Sequence, residues 1–317
     1  MSPQRAVEGG RVTLRGSGFA VDDDLPSVVI GDQPARTLFA SSTRLVVAIP
    51  PDLDGGAMPV RVEDGGEGAI EVATVWAKGL HQVDNPVFDD DGNLFVTYSG
   101  SRGQESPVSI FRVTPGGTRE PFVSGIVNAT SMAFGPDGLL YVSSRFEGAV
   151  YRVNSDGSYE QVASDLGVAC GLAFDPDGVL FVGDRSGTIF KVIDGRATAF
   201  ATLPASVAAF HLAMSPGQEL FVSAPTLGSY DHIYRISRQG DVRSMPSPLG
   251  RPQGVAFSHD GVLHVVEALA GASGLYRFAD PDGEPELVVS GNALVGTAFG
   301  PRGALVVSTN ETAYRFG

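Results

Sequence analysis

The sequence predicts an all-β protein: a β-sandwich over residues 1–72, then a six-bladed β-propeller over 73–317 closed by strand exchange. Three observations carry this expectation. The phrase "AFGPDGLLYV" at 133–142 returns as "VFDDDGNLFV", "AFDPDGVLFV", "AMSPGQELFV", "AFSHDGVLHV" and "AFGPRGALVV", with the aligned Phe88, Phe134, Phe174, Met214, Phe257 and Phe299 spaced 40 to 46 residues apart. That period, with several short strands per unit, is the signature of a propeller blade. The 41 glycines and 21 prolines punctuate Val-, Ile- and Phe-rich runs as turns punctuate strands. Finally, the sixth unit ends after three strands, in "TAYRFG", while a spare strand, "ATVWAKG" at 73–79, stands before the first unit. A blade short of its outer strand leaves an open edge, so residues 74–76 are expected to complete the last blade.

Before residue 73, "EGGRVTLRGSGFA", "PSVVIGDQPARTLFASSTRLVVAIPP" and "GGAMPVRVEDGGEGAIEVATV" read as alternating strands with frequent turn residues, the pattern of a small sandwich. "GSGF" lacks the third glycine and the strand-to-helix context of a dinucleotide loop. "VDDDL" at 21–25 reads as a solvated loop. On "GGRVTLRGSGF", "IGDQPA" and "VVAIPP", this region resembles the TIG (IPT) immunoglobulin-like domain. The resemblance implies an immunoglobulin-like sandwich of a kind that serves in DNA-binding factors, in surface receptors and as a spacer beside enzyme domains. The acidity of the chain favours the spacer, and the run "GAIEVATVWAKGL" leaves few residues for a hinge, so the spacer is expected to be rigid.

Within each repeat, a first strand and a tight turn lead to a second strand such as "LYVSS", a third such as "AVYRVN" and a weaker fourth such as "EQVASDL". "DDDGN" at 89–93 looks like a calcium loop, but it occupies the place of "GPDGL" and "DPDGV". It is therefore read as a turn in which Asp bonds its own backbone and Gly accepts positive φ. In the fourth unit Gln218 stands where that glycine belongs, with Gly217 one place earlier, so a shifted turn is expected there.

Antiparallel pairing puts the start of each first strand beside the end of its second strand, forming one mouth of the axial channel, and the "PDG" turns form the other. The first mouth is expected to gather Asp84, Asp184 and Glu267 with His211 and Gln253 into an acidic polar pocket. Asp84, Asp184, Glu267 and Gln253 are candidate ligands for a divalent cation such as calcium, which wants six or more oxygens. Were the protein an enzyme, His211 and Asp184 would be its acid–base candidates. Asn85, Tyr98, Arg145, Arg185 and Gln253 are candidate ligand-binding residues, the arginine pair offering a hold for an anion. Plainer roles stand beside these. Asp184, in "VGDRSG", can fix the following turn through backbone N–H bonds, His211 can be a satisfied packing histidine, and the arginines can balance nearby carboxylates. Cys170 reads as a small buried apolar residue.

The units, typified by "GLAFDPDGVLFVGDRSGTIFKV", resemble the NHL and gluconolactonase-like group of six-bladed propellers. With one Trp and no paired "GH" and "WD", they do not look like WD repeats. The gluconolactonase-like resemblance implies a metal held by Glu, Asn, Asn and Asp at outer rim positions, polarising a lactone carbonyl. Asp84 falls at the Glu position and Gln253 at the Asp, but Cys170 and Phe210 occupy the two Asn positions. A neutral thiol and a phenyl ring cannot replace oxygen ligands for calcium.

The formal charge of −14 argues against a nucleic-acid backbone or an anionic membrane as partner. One cysteine excludes an intrachain disulfide, and no stretch reads as a signal peptide or a membrane span, so the chain as given reads as cytoplasmic, with export open if its start is truncated. No "GxSxG", "HExxH" or "GxxxxGK[ST]" signature occurs. Two functions follow: a binding propeller that recognises a small molecule or a protein at its mouth, or a divergent lactone or ester hydrolase, or a lyase, using the same mouth. The oligomeric state is not readable.

Overall fold

The computed structural model describes residues 1–21, 25–63, 65–269 and 273–317. The "VDDDL" loop falls largely outside them. The described residues are β-structure apart from a single 3₁₀ turn at Pro301–Gly303, and no helix among them is long and apolar enough to cross a membrane.

The sandwich strands Arg11–Arg15, Val28–Ile30, Arg44–Ala48 and Glu67–Val72 alternate as their sequence does, turning Val12, Leu14, Val28, Ile30, Leu45, Val47 and Ile70 into one core. Each such side chain contributes about 1.5–3 kcal/mol of burial free energy.

From residue 80 onward the repeat units become four-stranded antiparallel meanders. The second unit, for example, runs Ala129–Phe134, Leu140–Ser144, Ala149–Val153, Tyr159–Ala163, in that order across the sheet. The sixth unit supplies only Leu294–Phe299, Leu305–Thr309 and Thr312–Phe316. Its fourth strand is Thr74–Lys78, which pairs antiparallel with Thr312–Phe316. Five units, not six, stand as separate sheets. The fifth unit, Pro252–Phe257 to Glu286–Ser290, has the same meander, but its outer strand pairs in parallel with Arg5–Ala6. Arg5–Ala6 in turn pairs with Glu67–Val72, so sandwich and repeat share one eleven-stranded sheet. A strand of two residues has no periodicity to read, which is why the sequence did not reveal this junction. Side chains reinforce it: Asn292 Nδ2 donates to Gly9 O (2.8 Å), Tyr314 OH to Glu8 Oε1 (2.8 Å), and Val7 is buried with Val289 and Leu294.

The repeat phrase explains how units pack. The aromatic of one unit's second strand meets the aligned Phe of the next edge-on or tilted: Phe95–Phe134 (5.6 Å), Tyr141–Phe174 (4.8 Å), Phe221–Phe257 (5.1 Å) and His264–Phe299 (4.7 Å). Burial lowers the His264 pKa, consistent with a neutral packing ring. The last apolar cluster unites Trp76, Val306 and Ala313 with Leu94, Val96 and Val113 of the first unit.

The turns behave as read, with one exception. In "DDDGN", Gly92 takes φ 84°, its N–H bonds Asp89 O (3.1 Å), and the Asp89 carboxylate accepts from Asn93 N (2.8 Å) and Nδ2 (2.7 Å). At the fourth unit the expected shift does not occur. Gln218 itself adopts φ 63° and makes the same turn bond, to Ser215 O (2.9 Å). The strain of a left-handed non-glycine residue is accepted to keep the register.

Candidate ligand site at the axial mouth

Two cavities lie on the axis. One, about 330 Å³, opens between the first strands toward the "PDG" turns, with Phe88, Phe174, Met214, Phe257 and Phe299 among its lining. The other, about 240 Å³, lies at the opposite mouth, walled by Val83, Val168, Val207, Ala208 and Val295 and carrying polar groups from Gln82, Arg145, Arg185, Gln253 and Asn310.

Between them is a buried polar layer. Asp84, 2% exposed, hydrogen-bonds through Oδ1 to Nδ1 of His211, which is 0% exposed, and accepts the backbone N–H of Asn85 at 2.7 Å. Nε2 of His211 meets Oε1 of Gln253 at 3.2 Å. The pair joins the first and fourth units across the axis. Asp84 lies just before the short first strand Val87–Phe88. Asn85 extends the layer, donating to Val255 O (2.8 Å) and accepting from Thr297 N (3.0 Å). The layer is tight enough to require glycine: a Cβ on Gly254 would stand 2.2 Å from Asn85 Oδ1, and one on Gly296 2.7 Å from Asp84 O.

The expected site residues therefore divide. Arg145, Arg185 and Gln253 do line the mouth cavity, and so does Cys170. Asp84 and Asn85 line the opposite channel. His211 is sealed between the two cavities rather than set on the mouth. Asp184 takes its plainer role, accepting Val168 N (2.8 Å) and Ser186 N (3.2 Å) at Oδ1 and the Ser186 hydroxyl at Oδ2. Tyr98 packs edge-on to His81 (6.0 Å) and Phe111 (6.3 Å). Glu267 is half-buried beside Gly250; desolvation raises its pKa, partly offset by a backbone hydrogen bond from Gly250.

The convergence of three carboxylates fails for a physical reason: each is already engaged with a different neighbour. Among the described residues no group of three or more His, Cys, Asp or Glu side chains is placed to hold a metal ion. The residues at the mouth thus do not fit the metal that the gluconolactonase-like resemblance implies. Cys170 is buried, and burial pushes its thiol pKa up to about 12.

What lines the mouth cavity is cationic instead of acidic. Among the described residues its only charged lining side chains are Arg145 and Arg185. Both follow the ends of second strands, their N–H groups bonded to Asn128 O (3.4 Å) and Val168 O (3.2 Å). Burial first, and then the guanidiniums of Arg185 and Arg102, lower the Arg145 pKa. His81 is also held below its usual value, by burial and by Arg145, against the pull of Glu311. Sequence reasoning missed Arg102 and Gln82, and it placed Asn310 at this mouth without giving it a role. The one available signal was Asn128 in "VNAT", which takes φ 51°, a conformation asparagine tolerates. Its side chain pins the 99–103 loop by bonding Gly103 N (2.7 Å) and Ser101 O (2.9 Å), and that loop carries Arg102.

A family model described as IPT/TIG domain matches residues 1–75. No curated protein matches the chain. Among solved structures, the chain is similar to an auxiliary nutrient binding protein from Bacteroides ovatus, at 14% identity over 99% of this chain and 96% of that one (TM-score 0.59). It is also similar to a gluconolactonase from Xanthomonas campestris, at 17% identity over 77% and 89% (TM-score 0.63). A third likeness is to virginiamycin B lyase from Staphylococcus aureus, at 14% identity over 97% and 99% (TM-score 0.54). At these identities the likeness establishes a propeller fold and nothing of its chemistry.

Proposed function

We propose that the chain is a ligand-binding propeller whose axial mouth cavity takes a small molecule, with the sandwich, residues 1–72, as a rigid spacer. The single observation that carries this is the buried layer of Asp84, His211 and Gln253, which turns the mouth into a preformed dead-end pocket with apolar walls and a few polar groups. Six blades over residues 73–317, closed by strand exchange, are the architecture proposed around it. Support comes from the β-pairing of Thr74–Lys78 with Thr312–Phe316 and from the cluster joining Trp76 to the first unit. The likeness in fold to a nutrient binding protein points the same way.

A divergent hydrolase or lyase gains less support. In such an enzyme His211 would have to reach the substrate, and here both of its ring nitrogens are engaged and the ring is sealed from either cavity.

The test is a thermal-shift screen of small metabolites on the parent and on Ala208→Trp, which fills the cavity from its wall. Ligands that raise the parent's melting temperature should lose their effect in the variant. Shifts that persist in Ala208→Trp would place binding elsewhere and refute the reading. In the same format calcium should bind only weakly, because Asp84, Asp184 and Glu267 do not combine; tight calcium binding lost in Asp84→Ala, with lactone turnover, would favour the hydrolase.

A further inference from the structure

We infer that the mouth cavity selects a small ligand bearing an oxyanion head, a carboxylate or a phosphate, gripped by Arg145 and Arg185. The inference rests on the mouth being the ligand site and adds the chemical class of what enters it.

Several observations converge. The chain is strongly acidic, with 36 Asp and Glu against 22 Lys and Arg, and its arginines are commonly paired. Arg112, Arg152, Arg235 and Arg277 each bond a glutamate, Glu120, Glu160, Glu219 and Glu286. Arg145 and Arg185 form no such ion pair among the described residues, and no carboxylate lines the cavity they share. Arg145 is half-buried and feels the like charge of Arg185 and Arg102, both exposed. A partly desolvated cation without a counter-ion is costly, and an anion in the cavity would remove that cost for Arg145, with the exposed Arg185 as its second hold.

The rest of the lining completes the selectivity. Gln253 meets His211 Nε2 through its side-chain amide (3.2 Å), which holds that amide at the cavity floor. Gln82 offers little competition as an acceptor, since its Oε1 already receives Thr97 N (2.9 Å) and its Nε2 donates to Asp84 O (2.6 Å). The donors open to an oxyanion are thus the two guanidiniums, beside the Oδ1 acceptor of Asn310, whose Nδ2 is spent on Gln82 O (2.9 Å), and arginine's fork suits both carboxylate and phosphate. The apolar wall of Val83, Val168 and Val295 suits a hydrocarbon body behind the head. At about 240 Å³ the cavity lies below the roughly 300–1,000 Å³ of drug-sized sites, so the ligand is small or projects from the mouth.

The experiment is calorimetric titration of the full chain with benzoate, phenylphosphate, inorganic phosphate and the uncharged benzamide, on the parent, Arg145→Gln, Arg145→Lys, Arg185→Gln and Ala208→Trp. At least one anionic probe should bind at least about tenfold more tightly than benzamide, and Arg145→Gln should weaken it by about tenfold or more. The more exposed Arg185→Gln should weaken it by about threefold, and Arg145→Lys should retain part of the affinity. Comparing benzoate with the two phosphates assigns the head group. Arg145→Gln should also melt no lower than the parent, because it removes an unpaired, crowded charge; a merely structural arginine would destabilise when lost. Equal affinity for benzamide, undiminished binding in Arg145→Gln, or no binding of any anionic probe up to about 10 mM would overturn the inference. A neutral metabolite whose binding is lost in Ala208→Trp would keep the mouth as the ligand site while sinking the oxyanion.

Discussion

Removing His211 should be among the most damaging single changes in this protein, and removing Asp84 with it should cost far less than the sum of the two. In His211→Ala the Asp84 carboxylate stays buried, 2% exposed, with Asn85 N–H as its remaining partner. Stranding a buried carboxylate without its partner costs about 3–5 kcal/mol. At roughly 2–4 °C per kcal/mol for a domain of this size, the melting temperature should fall by about 6–20 °C. Asp84→Ala should fall less, since it leaves Nδ1 of a ring without an acceptor and forfeits the Asn85 bond. In the double variant no orphaned charge remains and only the cavity cost persists, so the coupling energy should exceed about 1 kcal/mol, well outside the roughly 0.5 kcal/mol scatter of independent sites. Melting is followed by circular dichroism with guanidinium titrations beside it. Additive losses would mean that Asp84 and His211 do not depend on each other, and the account of the layer that separates the two cavities would fall with them.

Three further outcomes are expected. Trp76→Ala should destabilise by about 3–5 kcal/mol by emptying the packing against Phe88 (5.8 Å) and beneath Arg315 (4.7 Å). Trp76→Phe should cost much less, because the indole N–H it removes is buried without a partner among the described residues; a mild effect of Trp76→Ala in denaturant titrations would argue against Thr74–Lys78 holding the last sheet. Cys170, 1% exposed and with its thiol pKa near 12, should resist iodoacetamide at pH 8 in the folded protein and react once unfolded, and rapid native alkylation would contradict its burial. Glu267 has a folded pKa above its ordinary 4.5, so the folded state binds the extra proton and stability is lost as pH rises from 4.5 through that raised value. Glu267→Gln should flatten this part of the stability–pH curve; an unchanged slope would show the carboxylate to be solvated.

Much of the architecture was legible because it repeats. One phrase seen six times gave strand order, turn type and the place of Thr74–Lys78, and it did so through residues whose roles are local or act between adjacent units, such as Gly92 in its turn and Phe134 against Phe95. The site was harder to read because its defining contact is not local. Asp84 and His211 are 127 residues apart, and alignment alone places Asp84 on the rim and His211 one step inward at the same mouth, without showing that they touch. Whether a residue at a mouth is exposed or buried depends on neighbours brought from other units, and Asp84, 2% exposed against His211, is a case of it. Asp184 was correctly given a plainer turn-fixing alternative because the motif "VGDRSG" carries its own partners, Ser186 and the Val168 N–H, close in sequence or in pairing. Arg145 and Arg185 were seen as candidates, but that they stand without carboxylates is a property of three-dimensional neighbours and left no trace in spacing.

The most direct test of the mouth as ligand site is hydrogen exchange read by mass spectrometry, with and without the tightest binder from the metabolite screen at saturation. Ligand should slow exchange in the segments that carry the cavity wall, around Val83, Cys170, Ala208 and Gln253, and leave the sandwich and the "PDG" turns unchanged. Protection confined to the sandwich, or to the channel lined by Phe88, Phe174 and Phe257, would contradict it.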